Sequence, residues 1–304
     1  MNPLAIALDV LECQSAWCYR PGTAPAAEPT AWAALALAAH NRHDAADVAR
    51  RWLLIAQNAD GSVGIRQDEP APGWPTALAV LAWNLPGEHG PEDTAREASR
   101  RAIDWLLRSA GDTSETRPLV EHDPTIPGWP WVLGTHSWVE PTALGLLALC
   151  SVGLASHSRA IDAARLLDDR LLPSGGCNYG NTIVLGQTLL PHVEPTGLTL
   201  LALCGQADAH GRIAAAVDYL LAAIGPDTAP ASLAYGILGL SAHGRELPRS
   251  EEWLANAFAR AYRRESSLEL ALLALAALKE DCPLITQIAV PQAAWKALTR
   301  IDDH

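Results

Sequence analysis

Three glutamates stand directly before a Pro-Thr pair, as Glu28-Pro29, Glu140-Pro141 and Glu194-Pro195. A carboxylate beside a helix start is stabilised by the macrodipole and by unpaired N–H groups, so a structural role is open to each. The same groups are candidates for acid–base work. Glu140, Glu194 and Asp123 form the catalytic set considered first. A second set of residue types could hold a metal: His122, His136 four residues before Glu140, Cys177, and His192 two residues before Glu194. Histidine, cysteine and carboxylate ligands build three-ligand zinc sites with an open position, so zinc is the cofactor this set would take. No H-x-x-x-H or C-x-x-C spacing accompanies them, and hydrogen bonding in polar loops, or packing for Cys177, serves these residues equally.

Aromatic residues divide into two groups. Trp52, Trp105 and Trp253 recur on amphipathic segments and are expected to pack between layers. Trp32, Trp74, Trp129, Trp131, Trp138 and Tyr179 fall at helix starts or in the loops leading to them. There they could line a cavity and stabilise a cation by cation–π attraction, or simply anchor loops.

The elements that must position these residues repeat. Glu28-Pro29-Thr30-Ala31, Trp74-Pro75-Thr76-Ala77, Glu140-Pro141-Thr142-Ala143 and Glu194-Pro195-Thr196-Gly197 each open a run that is apolar on nearly every side. Such runs suit helices enclosed by protein, with proline at the first helical position. Two degenerate copies start at Pro230 and Ser266, which makes six inner helices. Amphipathic segments lie between them at roughly 44–57, 91–109, 158–171, 211–224, 250–262 and 286–300, which makes six outer helices. Strict alternation of six and six predicts an all-α fold, an open solenoid or a ring in which the last pair meets the first, and the count of six favours the ring, an (α/α)6 toroid with residues 1–304 as one domain. The long Gly-, Pro- and Trp-rich stretches 58–75, 110–141 and 173–195 would then share one rim, where loops of that length are usually functional.

Composition limits the partners. The chain carries 34 acidic against 22 basic residues, a formal charge of −12 with no basic block, which argues against nucleic acid. The apolar start lacks a basic leader and no stretch reaches transmembrane length, so a cytoplasmic protein is expected, with contact at a membrane surface as an option. The six cysteines are widely spaced and are expected as free thiols.

The segment from Ala49 to Val63, with Arg51, Trp52, Leu53, Leu54, Ile55, Gln57 and Gly61, resembles the QW repeat of squalene and oxidosqualene cyclases, Val63 standing where the family has Trp. Gly175-Gly176-Cys177-Asn178-Tyr179-Gly180 resembles the same family's Gly-Gly-Trp-Asn-Tyr-Gly turn. The resemblance implies the α/α toroid shared by terpenoid cyclases and protein prenyltransferases, with Gln57 and Arg51 tying one hairpin to the next. It also implies a function: an isoprenoid-handling enzyme, either a terpene cyclase or a prenyl-transfer enzyme, taking an isoprenoid or a prenyl acceptor into a central cavity. Trp138-Val139-Glu140-Pro141-Thr142-Ala143 lies over the cyclases' acidic motif and puts Glu140 in the place of the proton donor, while Trp138 and Pro141 replace the flanking acids. A catalytically silent toroid that binds a peptide or partner protein is the alternative, and a glycoside-acting barrel with two rim carboxylates ranks third.

Overall fold

The computed structural model describes residues 2–84, 93–115 and 121–287 and is helical almost throughout. The apolar runs become inner helices α2 (Ala27–Ala39), α4 (Thr76–Asn84), α6 (Val139–Ser151), α8 (Val193–Ala202), α10 (Pro230–Ala242) and α12 (Ser267–Ala276). Nearly every residue of α4 and α6 is buried, as a helix with protein on all sides requires. In α2, α6 and α8 the proline sits third in the helix, not first, and the glutamate second. The first four N–H groups of a helix have no partner within it, so proline is as harmless in the third place.

The amphipathic segments become outer helices α3 (His43–Ile55), α5 (Asp93–Arg108), α7 (Ser158–Arg170), α9 (Arg212–Ala223) and α11 (Ser250–Arg263). A helix expected at 286–300 falls, beyond Gln287, outside the described residues, where α13 (Pro283–Thr286) ends the described helices. From the other end of the chain α1 (Pro3–Glu12) packs on α11 and α12.

Each inner helix packs on the next, and α12 packs on α2, so the six close into a ring. At that seam the His40 ring bonds the Ala274 carbonyl at 2.9 Å, and Ser267 donates to Gln14 at 2.8 Å. The tightest contact in the ring is α8 on α10. A methyl group on Gly197 would fall 2.4 Å from the Tyr235 backbone, and one on Gly239 would fall 2.4 Å from the Gly197 carbonyl. Only glycine permits that approach.

Arginines join the outer layer. Arg212 donates to the carbonyls of Asp168, Asp169 and Leu171 at the end of α7, and Arg159 reaches those of Ser109, Pro127 and Gly128 after α5. Unpaired carbonyls at a helix end are thereby satisfied by the following outer helix. In the QW-like segment Gln57 donates to Ala98 and Gly61 and receives a hydrogen bond from Arg101. The expected partner Arg51 is exposed instead, and Arg50 makes the inward bond, to the Ala82 carbonyl. Among the described residues no helix is long and apolar enough to cross a membrane, and all six cysteines are free.

Candidate functional site

The helix-opening threonines build the rim. The buried hydroxyls of Thr76, Thr142 and Thr196 accept the backbone N–H of Val63, Trp129 and Cys177 at 2.8, 3.0 and 2.9 Å. Each threonine thus clamps the turn that precedes its helix. Trp129 is therefore the repeat's tryptophan, in the place that Val63 and Cys177 hold elsewhere. It is buried between the layers, donates to the Leu106 carbonyl at 3.0 Å and carries the Arg159 guanidinium 4.2 Å from its ring. Its expected place in the cavity lining is corrected by this packing.

The second residue of three inner helices is a glutamate. Glu28 of α2, Glu140 of α6 and Glu194 of α8 lie within electrostatic range of one another, although α2 and α8 are on opposite sides of the ring. Tyr235 of α10 is in range of all three. One helical turn below Glu28, Trp32 meets Tyr235 edge to face at 5.9 Å, across a gap that α12 spans in the ring. Trp32 and Tyr235 are 0% and 2% exposed, packed into the core beneath the carboxylates.

The three carboxylates differ in their partners. Tyr19, in the loop between α1 and α2, donates to Glu28 at 2.6 Å, and Ser232 of α10 donates to Glu194 at 3.0 Å. Glu140 has no hydrogen-bond partner among the described residues. Each keeps some contact with solvent although protein surrounds it, as side chains lining a deep cavity do. Burial pushes Glu28 up to about 7, against the lowering effect of the Tyr19 bond, and the charge of Glu194 adds to the rise. Burial pushes Glu140 up to about 8, with the charges of Glu28 and Glu194 adding to it. A neutral carboxylic acid near pH 7 is the result.

The remaining candidates stand around this group. Tyr179, 40% exposed, receives Val139 N–H on its carbonyl and feels the charges of Glu194 and Glu140. Its ring lies against His192, and Trp138 lies against His136, with centroids at 5.1 and 4.7 Å. Trp74 and Trp131 meet edge to face at 4.8 Å, and Trp74 helps line a small pocket with Trp105 and Trp129 between α4, α5 and α6. Asp123 is held away from the glutamates. Its carboxylate caps Thr125, its N–H donates to Asp169, and its carbonyl accepts from Arg170 near the end of α7.

The residues proposed as zinc ligands are not brought together. His122 lies near Arg170, and burial followed by that positive charge lowers it to about 4. Cys177 is buried, its sulfur 3.5 Å from the Thr199 hydroxyl, and burial raises its thiol to about 11, away from the thiolate a metal needs. His136 and His192 are exposed and stacked on aromatic rings. Among the described residues no three His, Cys, Asp or Glu side chains converge as a metal requires. These side chains do not fit a zinc site.

Tyr19, Ser232 and Tyr235 escaped the sequence reading. Tyr235 follows Ser232 by three residues in a degenerate repeat, so that spacing could have placed both on one face. No pattern marks Tyr19, whose role depends on a loop folding back over α2.

Comparison with known proteins places this geometry. No family model and no curated protein matches the chain. Among solved structures, an apo variant of the type II terpene cyclase MstE from Scytonema is 15% identical, with a TM-score of 0.57 over 93% of this chain and 98% of that one. The fold is the α/α toroid of type II terpene cyclases. A protein from Actinoplanes superposes with a TM-score of 0.56 at 18% identity, over 86% of this chain and 79% of that one. The same toroid occurs in a GH8 xylanase from Teredinibacter turnerae complexed with xylohexaose, at TM-score 0.58, 9% identity and coverage of 88% and 83%.

Proposed function

We propose that the chain is an isoprenoid-handling toroid enzyme, a divergent cyclase in which Glu140 delivers a proton to a substrate held in the lumen. The observation that supports this reading is the inequality of the three carboxylates. Glu28 and Glu194 are occupied by Tyr19 and Ser232, whereas Glu140 is unpartnered and neutral at pH 7. A general acid works best with a pKa near the operating pH, and this one keeps some contact with solvent. When the proton leaves, positive charge develops in the substrate. It would meet the Glu194 carboxylate and the exposed ring of Tyr179, which stabilise a cation without reorganising. The toroid of a type II terpene cyclase, Val63 and Cys177 in QW-like turns, and the Trp138 and Tyr179 rings beside Glu140 fit the same reading.

The test is incubation of purified protein with farnesol, geranylgeraniol, squalene and squalene epoxide, with products read by mass spectrometry. A cyclised product that disappears in Glu140→Gln while the helical circular dichroism is kept supports the reading. No product from any of these substrates, or a product unaffected by Glu140→Gln, overturns it.

A second reading draws on the same carboxylates: two of them would serve as acid and base on a glycoside. Release of xylose or xylobiose from xylohexaose would select it.

A further inference from the structure

The rim between α6 and α8 is free of charged side chains. Residues 124–139 and 171–193 hold no Lys, Arg, Asp or Glu, in a chain where these make up 18% of the residues. The two stretches lie side by side: the Val139 N–H donates to the Tyr179 carbonyl at 2.8 Å, and the Trp138 ring lies against Gly180. Their aliphatic side chains are not withdrawn from water, since Leu133, Leu185 and Leu190 are 54%, 75% and 76% exposed. An uncharged patch of exposed aliphatic side chains is the composition of a surface that another body covers.

The hairpin in this patch, β1 (Ile183–Val184) and β2 (Gln187–Thr188), also has an open backbone edge. Ile183 pairs with Thr188 and Val184 with Gln187, and the Leu189 N–H bonds the Thr182 carbonyl at 2.9 Å. Hydrogen-bonded and non-bonded pairs alternate along an antiparallel ladder, so Thr188, next to Leu189, turns its N–H and C=O away from β1. Gln187 and Thr188 are both exposed. Monomeric proteins guard such an edge with lysine, proline or other interruptions, and Gln187-Thr188-Leu189-Leu190 offers neither a charge nor a proline. At the turn Leu185 has φ +52° and Gly186 φ +75°. Asparagine or glycine would take that first left-handed place more cheaply than leucine. A side chain on Gly186 would meet nothing within 4 Å, so the tip stands clear of the rest of the chain, and Leu185 lies outside the core.

We infer that β2 is the interface for a second copy of this chain, the two strands pairing antiparallel about a two-fold axis at Thr188. A lipid surface would cover the leucines but leave the Thr188 N–H and C=O without partners. A second copy supplies both. Each Thr188 N–H donates to the carbonyl of the other, and Leu190 of one copy comes opposite Gly186 of the other, beside its Leu185. The net charge of −12 repels a second copy elsewhere on the surface, whereas an uncharged sector lets two copies meet without burying an ion. The paired strands are short and the patch is local, so the dimer is a weak one. Nothing in this depends on Glu140 or on any reaction.

The test is sedimentation velocity of the intact protein from about 2 to 200 μM, over which monomer should pass into dimer, while hydrogen exchange of the segment 182–190 slows. Thr188→Pro should hold the protein monomeric throughout, since proline removes the outward N–H and breaks no bond of the hairpin. Leu190→Lys should do the same by placing a charge in the interface. Leu185→Asn should weaken the dimer at least about tenfold while the melting temperature of the monomer is kept or raised, because asparagine accepts the left-handed turn. A monomer at every concentration, or a dimer that both Thr188→Pro and Leu190→Lys leave intact, overturns the inference. Binding of the monomer to phosphatidylcholine vesicles that Thr188→Pro does not impair also overturns it, by making the leucines a lipid contact.

Discussion

Glu140 is neutral at pH 7 because protein surrounds it and two other carboxylates face it, and the cost of that arrangement appears in stability. Its ordinary value is 4.5 and its folded value about 8, so between these pH values the folded chain holds a proton that the unfolded chain has lost. Stability therefore falls as pH rises from about 4.5 to about 8 and levels off above, and Glu28 contributes the same sign up to about 7. Thermal melts of the wild type should lose Tm across pH 5 to 8, and Glu140→Gln should flatten that slope, because a glutamine has no proton to lose. A slope unchanged in Glu140→Gln would mean the carboxylate is ionised in the folded protein. Tyr19 works against the trend by donating to Glu28 and lowering it. Carboxyl-labelled NMR titration of Tyr19→Phe should show one glutamate moving further upward, and no movement would remove Tyr19 from the site.

Among the elements, the inner helices depend on small residues where they meet and the outer ones on arginines that cap a neighbour. Gly197→Ala would push a methyl group to 2.4 Å from the Tyr235 backbone, where no side chain can yield, so α8 and α10 must part. A loss of roughly 1–3 kcal/mol is expected, and it should disturb Tyr235 as well as stability. Arg212→Ala would uncover three carbonyls at the end of α7 at a cost of about 1–3 kcal/mol, and urea unfolding measures both variants. The six inner helices were legible because Pro-Thr recurs at four of the starts, degenerate copies follow at Pro230 and Ser266, and the apolar runs leave no wet face. Glu140 and Glu194 were legible as members of that repeat. What pairs with Glu28 and Glu194 was not, since Tyr19 and Ser232 reach those glutamates only through loop return and the packing of α8 on α10. Trp129 was misread for a related reason: its backbone clamp to Thr142 and its burial under Arg159 are tertiary facts. Alternation running forward along the chain puts a sixth outer helix at 286–300, which beyond Gln287 is outside the described residues, whereas no repeat signal marked α1, which packs on α11 and α12 from the other end of the chain.

At the scale of the whole molecule, closure distinguishes this ring from an open stack of the same hairpins. In an open stack a repeat contacts only its neighbours, and damage at one end leaves the other end standing. Here α12 meets α2, the His40 ring bonds the Ala274 carbonyl across that seam, and the carboxylate group draws one member from each of α2, α6 and α8. Ala36 of α2 is fully buried, and Ala36→Leu would overpack the helix that closes the ring. If the ring unfolds as one cooperative body, this variant lowers a single Tm that is the same by far-ultraviolet circular dichroism and by fluorescence of the tryptophans around α4 and α6, remote from the seam. An open stack would instead give two transitions, with the distant tryptophans melting at the wild-type temperature. The difference bears on the site, because a lumen bounded by helices from every part of the chain keeps its carboxylates facing one another only while the seam is shut.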